Sequence, residues 1–240
     1  MADLKGRSAI VTGSTRGIGL AIAESLARAG VRVTVSARSA GDCERTARVL
    51  ERDTGTRSIG VACDVRRADD CARLVDAAVR AFGGIDILIN NAGIGAFAPV
   101  GEMDVETWDA VVGTNLNSLF YCTHAALPHL RNGTDAWIIN IGSLAGKNAF
   151  PGGAAYNATK FGLIGFSEAL MQDVRYDGIR VNYIMPGSVA TDFSHPSGKT
   201  DDSWRVQPED IAQIVMALLA FPARTLPSRI EVRPSMPPRK

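Results

Sequence analysis

From one end to the other, this chain alternates short β-rich runs with longer stretches of helical period, and few folds accommodate such a pattern. Strands are predicted at Ser8–Thr12, Arg32–Ala37, Ile59–Cys63, Ile85–Asn90, Trp137–Ile141, Ile179–Met185 and Arg229–Val232. Helical patterns run from about Gly17 to Ala29, where Gly30 stops them, and over Glu106–Leu130 and Ala154–Tyr176. Another helix is the clearest: Cys71, Leu74, Val75, Ala78, Val79 and Phe82 share one face, and Gly83-Gly84 ends it. A last helix opens at Pro208-Glu209-Asp210, with proline in the first turn and acids at the positive end of the helix dipole. Strands apolar on both faces require helices on both sides of a parallel sheet. The expectation is a single α/β domain, residues 1–240, built as a three-layer, doubly wound parallel sheet.

Composition removes whole classes of function. With 46% hydrophobic residues the chain is not disordered, and 26 basic against 25 acidic residues leave no electrostatic footprint for nucleic acid or an anionic membrane. The longest apolar stretch, near Ile214–Phe221, is far short of the roughly 20 residues of a membrane span. Met1–Gly6 shows no basic-then-apolar signal pattern. Cys43, Cys63, Cys71 and Cys122 have neither CxxC spacing nor companion histidines, so they read as buried thiols and no metal is expected. A cytoplasmic protein is the expectation.

Directly after the first strand stands Thr12-Gly13-Ser14-Thr15-Arg16-Gly17-Ile18-Gly19, opening the first helix. Glycines at such a turn let backbone approach a ligand closely, and the helix N-terminus offers free N–H groups to phosphate. The spacing is G-x-x-x-G-x-G, which marks a Rossmann-type dinucleotide site in this context. Where an NAD site has an acid about 20 residues on, this chain has Arg38, with no acid until Asp42. Arg38 and Arg16 suit the 2′-phosphate of NADP, because guanidinium matches phosphate bidentately.

Tyr156 and Lys160 lie four residues apart, hence on one helix face, and Ser143 sits at the carboxyl end of a predicted strand. A free tyrosine titrates near 10, and bringing it to about 7 takes roughly 4 kcal/mol of phenolate stabilisation. A nearby ammonium at reduced dielectric is a source of it.

Thr12–Gly19, Asn90-Asn91-Ala92-Gly93, Asn115, Ser143, Tyr156-x-x-x-Lys160 and Pro186-Gly187 occur in the order of the short-chain dehydrogenase/reductases, and the chain resembles that family from about Lys5 to Phe221. It is most similar to the single-domain branch and, within it, to the 3-oxoacyl-(acyl-carrier-protein) reductase type. The resemblance implies that Tyr156 is the general acid, that Ser143 hydrogen-bonds the substrate carbonyl, and that Lys160 tunes Tyr156 and binds the nicotinamide ribose. It implies that Asn115 holds a relay water. Cofactor contacts are implied for Gly13, Ser14, Thr15, Arg16, Gly17, Ile18, Gly19, Arg38, Asp64, Val65, Asn91, Ala92, Gly93, Pro186, Gly187, Val189 and Thr191. The implied activity is NADP(H)-dependent carbonyl reduction, NADPH being preferred over NADH. A 3-oxoacyl thioester is the leading substrate; another small ketone, 3-oxo acid or sugar is the alternative, and a catalytically silent NADP-binding sensor a remoter one. A homo-oligomer, tetramer or dimer, is implied by the family and by apolar residues on more than one face of the two long helices.

Two segments depart from the family pattern. The tail, Ser228–Lys240, lacks the glycine-rich strand that many members pack across a subunit interface, and the substrate loop, about residues 187–207, is short and polar. His124, His129 and His195 read as structural or surface residues, and Lys147 as an exposed loop lysine. Phe97, Phe150, Met185, Phe193 and Trp204 divide evenly between pocket lining and packing.

Overall fold

The structure, a computed structural model, describes residues 4–133, 135–191, 193 and 202–238. Among them, β1 (Ser8–Thr12), β2 (Arg32–Ala37), β3 (Ser58–Ala62), β4 (Ile87–Asn90), β5 (Ala136–Ile141), β6 (Ile179–Pro186) and β7 (Arg229–Val232) form one sheet in the order β3-β2-β1-β4-β5-β6-β7. Every neighbouring pair is parallel. Helices α1 (Gly17–Arg28), α2 (Ala40–Thr54) and α7 (Pro208–Leu219) cover one face; α3 (Ala68–Phe82), α5 (Ser118–Leu130) and α6 (Ala154–Val174) cover the other. The pleat explains the division. Ala9 and Val11 of β1 join Ile22, Leu26 and Val215 on one side, while Ile10 between them joins Leu74, Ala126 and Leu130 on the other. Leaving β1, the chain builds outward first through β2 and β3, then through β4 to β7. The crevice where this order reverses, outside the carboxyl ends of β1 and β4, is where such sheets take ligands.

Helix α2 carries no named expectation in the sequence pattern. It buries about one residue per turn, Cys43, Ala47 and Leu50, and surrounds them with charge, so its apolar stripe is thin. The Ser39 hydroxyl caps it, accepting from Asp42 N at 3.3 Å. The expected single helix over Glu106–Leu130 is instead α4 (Val105–Val112), a π-helical turn at Gly113–Asn117, and α5. A π turn adds one residue to one helical turn and leaves the apolar period almost intact, so periodicity does not reveal it. It carries Asn115.

Candidate active site

A cleft of about 1510 Å³ opens along the carboxyl ends of the strands. At its centre the turn after β1 is wired to the end of β4. Asn91 Nδ2 donates to the carbonyls of Thr12 and Gly13 at 2.9 and 3.0 Å, and Thr12 Oγ1 accepts from the amides of Asn91 and Ala92, each at 3.0 Å. Gly13 has φ 64°, and a Cβ there would meet Ala92 Cα at 3.0 Å. A Cβ on Gly19 would lie 2.4 Å from both Gly13 O and Asn91 Nδ2. The two glycines bring β1, α1 and β4 together. Helix α1 begins with no acid in its first turn and no side-chain cap, so its amides are free for an anion.

Gly13, Thr15, Arg16, Gly17 and Ile18 line the cleft. Ser14 and Gly19 stand behind it. The Ser14 hydroxyl donates to Val11 O at 2.6 Å and accepts from Ser36 N at 2.9 Å, which ties the turn to β2.

At one end of the cleft Arg16, Arg38, Asp64, Val65 and Arg66 come together with Asp42. Arg66 was not singled out in the sequence, although it stands two residues beyond Asp64. Its guanidinium grips that carboxylate, Nε at 2.9 Å from Oδ1 and Nη2 at 2.6 Å from Oδ2. This bond, with the charge of Arg38, holds the Asp64 carboxyl below the usual carboxylate range. Asp42 is neutralised by Arg45 on its own helix. Three guanidinium groups against these acids make this end receptive to phosphate. A cradle that one Cβ would fill, free helix amides and an arginine cluster together fit a dinucleotide phosphate.

Toward the other end, Ser143, Tyr156 and Lys160 line the cleft together. Lys160 is buried, its Nζ donating to Ile141 O at 3.1 Å and standing 5.6 Å from the centre of the Tyr156 ring. Burial drives its titration down to about 8. Burial pushes the Tyr156 phenol up, against a hydrogen bond with Ser143 that pulls it down. The sequence reading has the ammonium lowering the phenol. Here Lys160 faces the ring and a carbonyl, and desolvation governs both groups. Asn115 stands behind the wall: its Oδ1 accepts from Ile94 N at 2.8 Å, and its Nδ2 donates to Ile94 O at 2.9 Å. A Cβ on Gly93 would lie 3.4 Å from Asn115 Oδ1 and 3.9 Å from Lys160 Nζ, so the two side chains approach the same point.

The lysine has a consequence for stability. Lys160 releases its proton near 8 in the folded chain and near 10.5 otherwise, so between these values the unfolded chain holds more protons. The stability contribution of this residue is therefore lowest below pH 8 and rises toward pH 10.5. Lys160→Met removes that rise. Urea unfolding at two pH values, about 8 and about 10, should show the wild-type stability gaining about 2 kcal/mol relative to the variant.

Pro186, Gly187, Val189 and Thr191 line the cleft above these groups, and Thr191 Cγ2 would meet a Cβ on Gly17 at 3.3 Å. The loop that follows is pinned at its ends: Ala190 N donates to Val206 O at 2.9 Å, and Val206 N to Ser188 O at 3.1 Å. Residues 192 and 194–201 of this loop, His195 among them, lie outside the described residues. Phe97, Phe150, Phe193 and Trp204 all line the cleft, whereas Met185 is fully buried against Leu119, Leu163 and Tyr183. His124 stacks on Phe120 at the surface of α5, and His129 sits in its last turn. Lys147 pairs with Glu231.

The tail behaves unexpectedly. After β7 it turns back so that Arg233, Pro234, Pro237 and Pro238 line the same cleft, and Pro234 Cδ would lie 3.3 Å from a Cβ on Gly187.

Comparison with known proteins agrees with this architecture. The short chain dehydrogenase family profile matches residues 7–202. An uncharacterized oxidoreductase of Staphylococcus saprophyticus is 34% identical over 239 residues, which span 98% of this chain and all of that protein. The 3-oxoacyl-(acyl-carrier-protein) reductase FabG of Vibrio cholerae is 35% identical over 234 residues, 92% of each chain. Among solved structures, a metagenomic short-chain oxidoreductase in complex with NADP is similar with a TM-score of 0.86 and 34% identity, over 98% of this chain and 100% of that one. Among the described residues no helix is long and apolar enough to cross a membrane, and no cluster of ligating side chains suits a metal. By family profile, sequence and fold alike, the chain belongs to the short-chain dehydrogenases and is an oxidoreductase.

Proposed function

We propose that this chain binds NADP(H) and reduces a carbonyl group, with a 3-oxoacyl thioester as the leading substrate. The observation that carries the reading is the meeting of Ser143, Tyr156 and buried Lys160 in a cleft whose far end gathers Arg16, Arg38 and Arg66. When bound, the nicotinamide cofactor supplies the reducing equivalent. The turn Gly13–Gly19 and the amides of α1 hold its diphosphate, and Arg16 and Arg38 its 2′-phosphate. Asp64 and Val65 border the adenine, Asn91, Ala92 and Gly93 the adenosine side. Pro186, Gly187, Val189 and Thr191 take the carboxamide. Ser14 and Gly19 act through the turn they support.

The chemistry of the protein side follows from protonation. A phenol is protonated at neutral pH without help, and the hydrogen bond with Ser143 pulls the Tyr156 titration down against its burial, so Tyr156 is available as a general acid to the carbonyl oxygen while the Ser143 hydroxyl donates a hydrogen bond to the same oxygen. Lys160, titrating near 8, is poised to restore the proton, and Asn115 stands beside it on the side where a relay water would connect to solvent. The thioester assignment draws on the names of relatives such as the Vibrio enzyme. Presenting the purified protein with NADPH and a 3-oxoacyl thioester tests it: steady NADPH oxidation is the expected result, and oxidation by simple ketones alone would shift the assignment to that alternative.

Preference for NADPH over NADH rests on Arg38 and Arg16. Arg38→Ala should weaken NADPH binding by at least about 10-fold, the range of a charged hydrogen bond, and change NADH binding little. An unchanged ratio in fluorescence titrations would refute the phosphate assignment. We also propose a cytoplasmic homo-oligomer. Trp108, Phe120 and Phe161 stand exposed on α4, α5 and α6, which suits an isologous contact. Sedimentation should show a dimer or tetramer; a monomer at every concentration would exclude it.

A further inference from the structure

Phenyl rings from three different loops gather beside Tyr156, two of them against its ring and the third against one of those two. Phe97 follows β4, Phe150 follows β5 and Phe193 follows β6. The ring centre of Phe97 lies 5.5 Å from that of Tyr156 in an edge-to-face arrangement, Phe193 is 5.9 Å from Tyr156, and Phe150 stands 5.7 Å from Phe97. These rings are not core. Phe97 is 52% exposed, Phe150 42% and Phe193 40%, all on the wall of the cleft, where Trp204 joins them.

Their seats are built by glycines. A Cβ on Gly95 would meet Phe193 Cε1 and Phe97 Cζ, each at 3.0 Å, and one on Gly153 would meet Phe150 Cε2 at 2.6 Å. Without side chains at these two positions Phe97 and Phe193 close in on the phenol ring and Phe150 on Phe97, while their remaining faces and edges stay open to the cleft. So much exposed aromatic surface beside a proton donor is costly in water and is covered when an apolar group enters. Rings tilted 50–74° to one another present both faces and edges at contact distance, the geometry that favours another aromatic ring. An alkyl chain with as many carbons would cover similar area but surrender torsional freedom that a rigid ring does not have.

We propose that the reacting carbonyl of the substrate carries an aromatic group, held among Phe97, Phe150 and Phe193. This refinement rests on Tyr156 as the proton donor. It leaves open whether the other substituent is a thioester arm or a simple alkyl group. Phe97, Phe150 and Phe193 are then specificity-determining residues.

Acetophenone and 2-octanone have the same number of carbons and differ in whether the carbonyl bears a ring or a chain. With saturating NADPH, kcat/KM for acetophenone should exceed that for 2-octanone by at least about 10-fold, the range of one to two favourable ring contacts. Phe97→Leu, which keeps apolar bulk and removes the ring, should bring the ratio close to one chiefly through the KM for acetophenone. Phe97→Tyr should restore it. Equal values of kcat/KM in the wild type, or a ratio untouched by Phe97→Leu, would overturn the aromatic preference and leave the carbonyl reductase standing. NADPH oxidation by neither ketone nor by a 3-oxoacyl thioester would overturn both.

Discussion

Tyr156→Phe should lower turnover at least about 100-fold while changing NADPH affinity by no more than a small factor, because the substitution removes one hydroxyl and leaves the ring. The ring itself is held by packing: it is buried, faces Lys160 at 5.6 Å, and meets Phe97 and Phe193. What disappears is the phenol hydroxyl that Ser143 addresses in this part of the cleft. Loss of a general acid is read in kcat, and an unchanged melting temperature would separate it from loss of fold. Turnover within a few-fold of wild type would remove the tyrosine from the chemistry.

Gly19→Ala should act by another route, on binding and stability together. Its Cβ would stand 2.4 Å from Gly13 O and from Asn91 Nδ2. Neither neighbour is free to yield. Gly13 is held between β1 and β4 by Asn91, and the Asn91 amide already spans two carbonyls. Overpacking of this kind costs about 1–3 kcal/mol of stability, and relief comes by spreading the turn from the end of β4. NADPH affinity should fall by at least about 10-fold, since the same backbone presents the phosphate-binding amides. Titration of NADPH alongside thermal unfolding checks this. A variant that melts early but binds NADPH normally would show that Gly19 serves packing alone.

Much of this was legible in the sequence because it rests on periodicity and on residues whose chemistry is local. β1, β2 and β7 lie where the apolar runs put them, β4, β5 and β6 differ by one or two residues at one end, and β3 is shifted by one residue at both. The single domain and the parallel sheet follow from the same patterns, and the short-chain dehydrogenase membership from the resemblance of the motifs between Thr12 and Gly187. Less was legible where an element depends on partners far along the chain. Helix α2 buries only three residues, and its stripe is recognisable once β2 and β3 lie beneath it. The π turn at Gly113–Asn117 is set by the pairing of Asn115 with the Ile94 backbone, 21 residues away, which no local pattern reports.

The cleft shows the same limit. Arg66 has no local signal, because an arginine near an acid is ordinary on a surface, and only the fold places it with Arg38 around Asp64 in the cleft. Ser14 sits inside the glycine motif yet turns inward to Val11 and Ser36, because its short hydroxyl satisfies two backbone groups there. The sequence of the tail shows only the missing glycine-rich strand. Its path back over Gly187 becomes visible only when β7 is laid beside β6. The glycine seats of Phe97, Phe150 and Phe193 are likewise products of three loops meeting in space.

The most direct test of the central claim is to titrate the purified protein with NADPH, following nicotinamide fluorescence, and then add a carbonyl substrate to the saturated complex and follow NADPH consumption. Saturable binding and stoichiometric conversion of the carbonyl to its alcohol, both absent without protein, are the predicted results. Binding without consumption across thioesters, alkyl ketones and aryl ketones would contradict a reductase and favour a nucleotide-binding sensor, and failure to bind NADPH at all would contradict the phosphate-binding site itself.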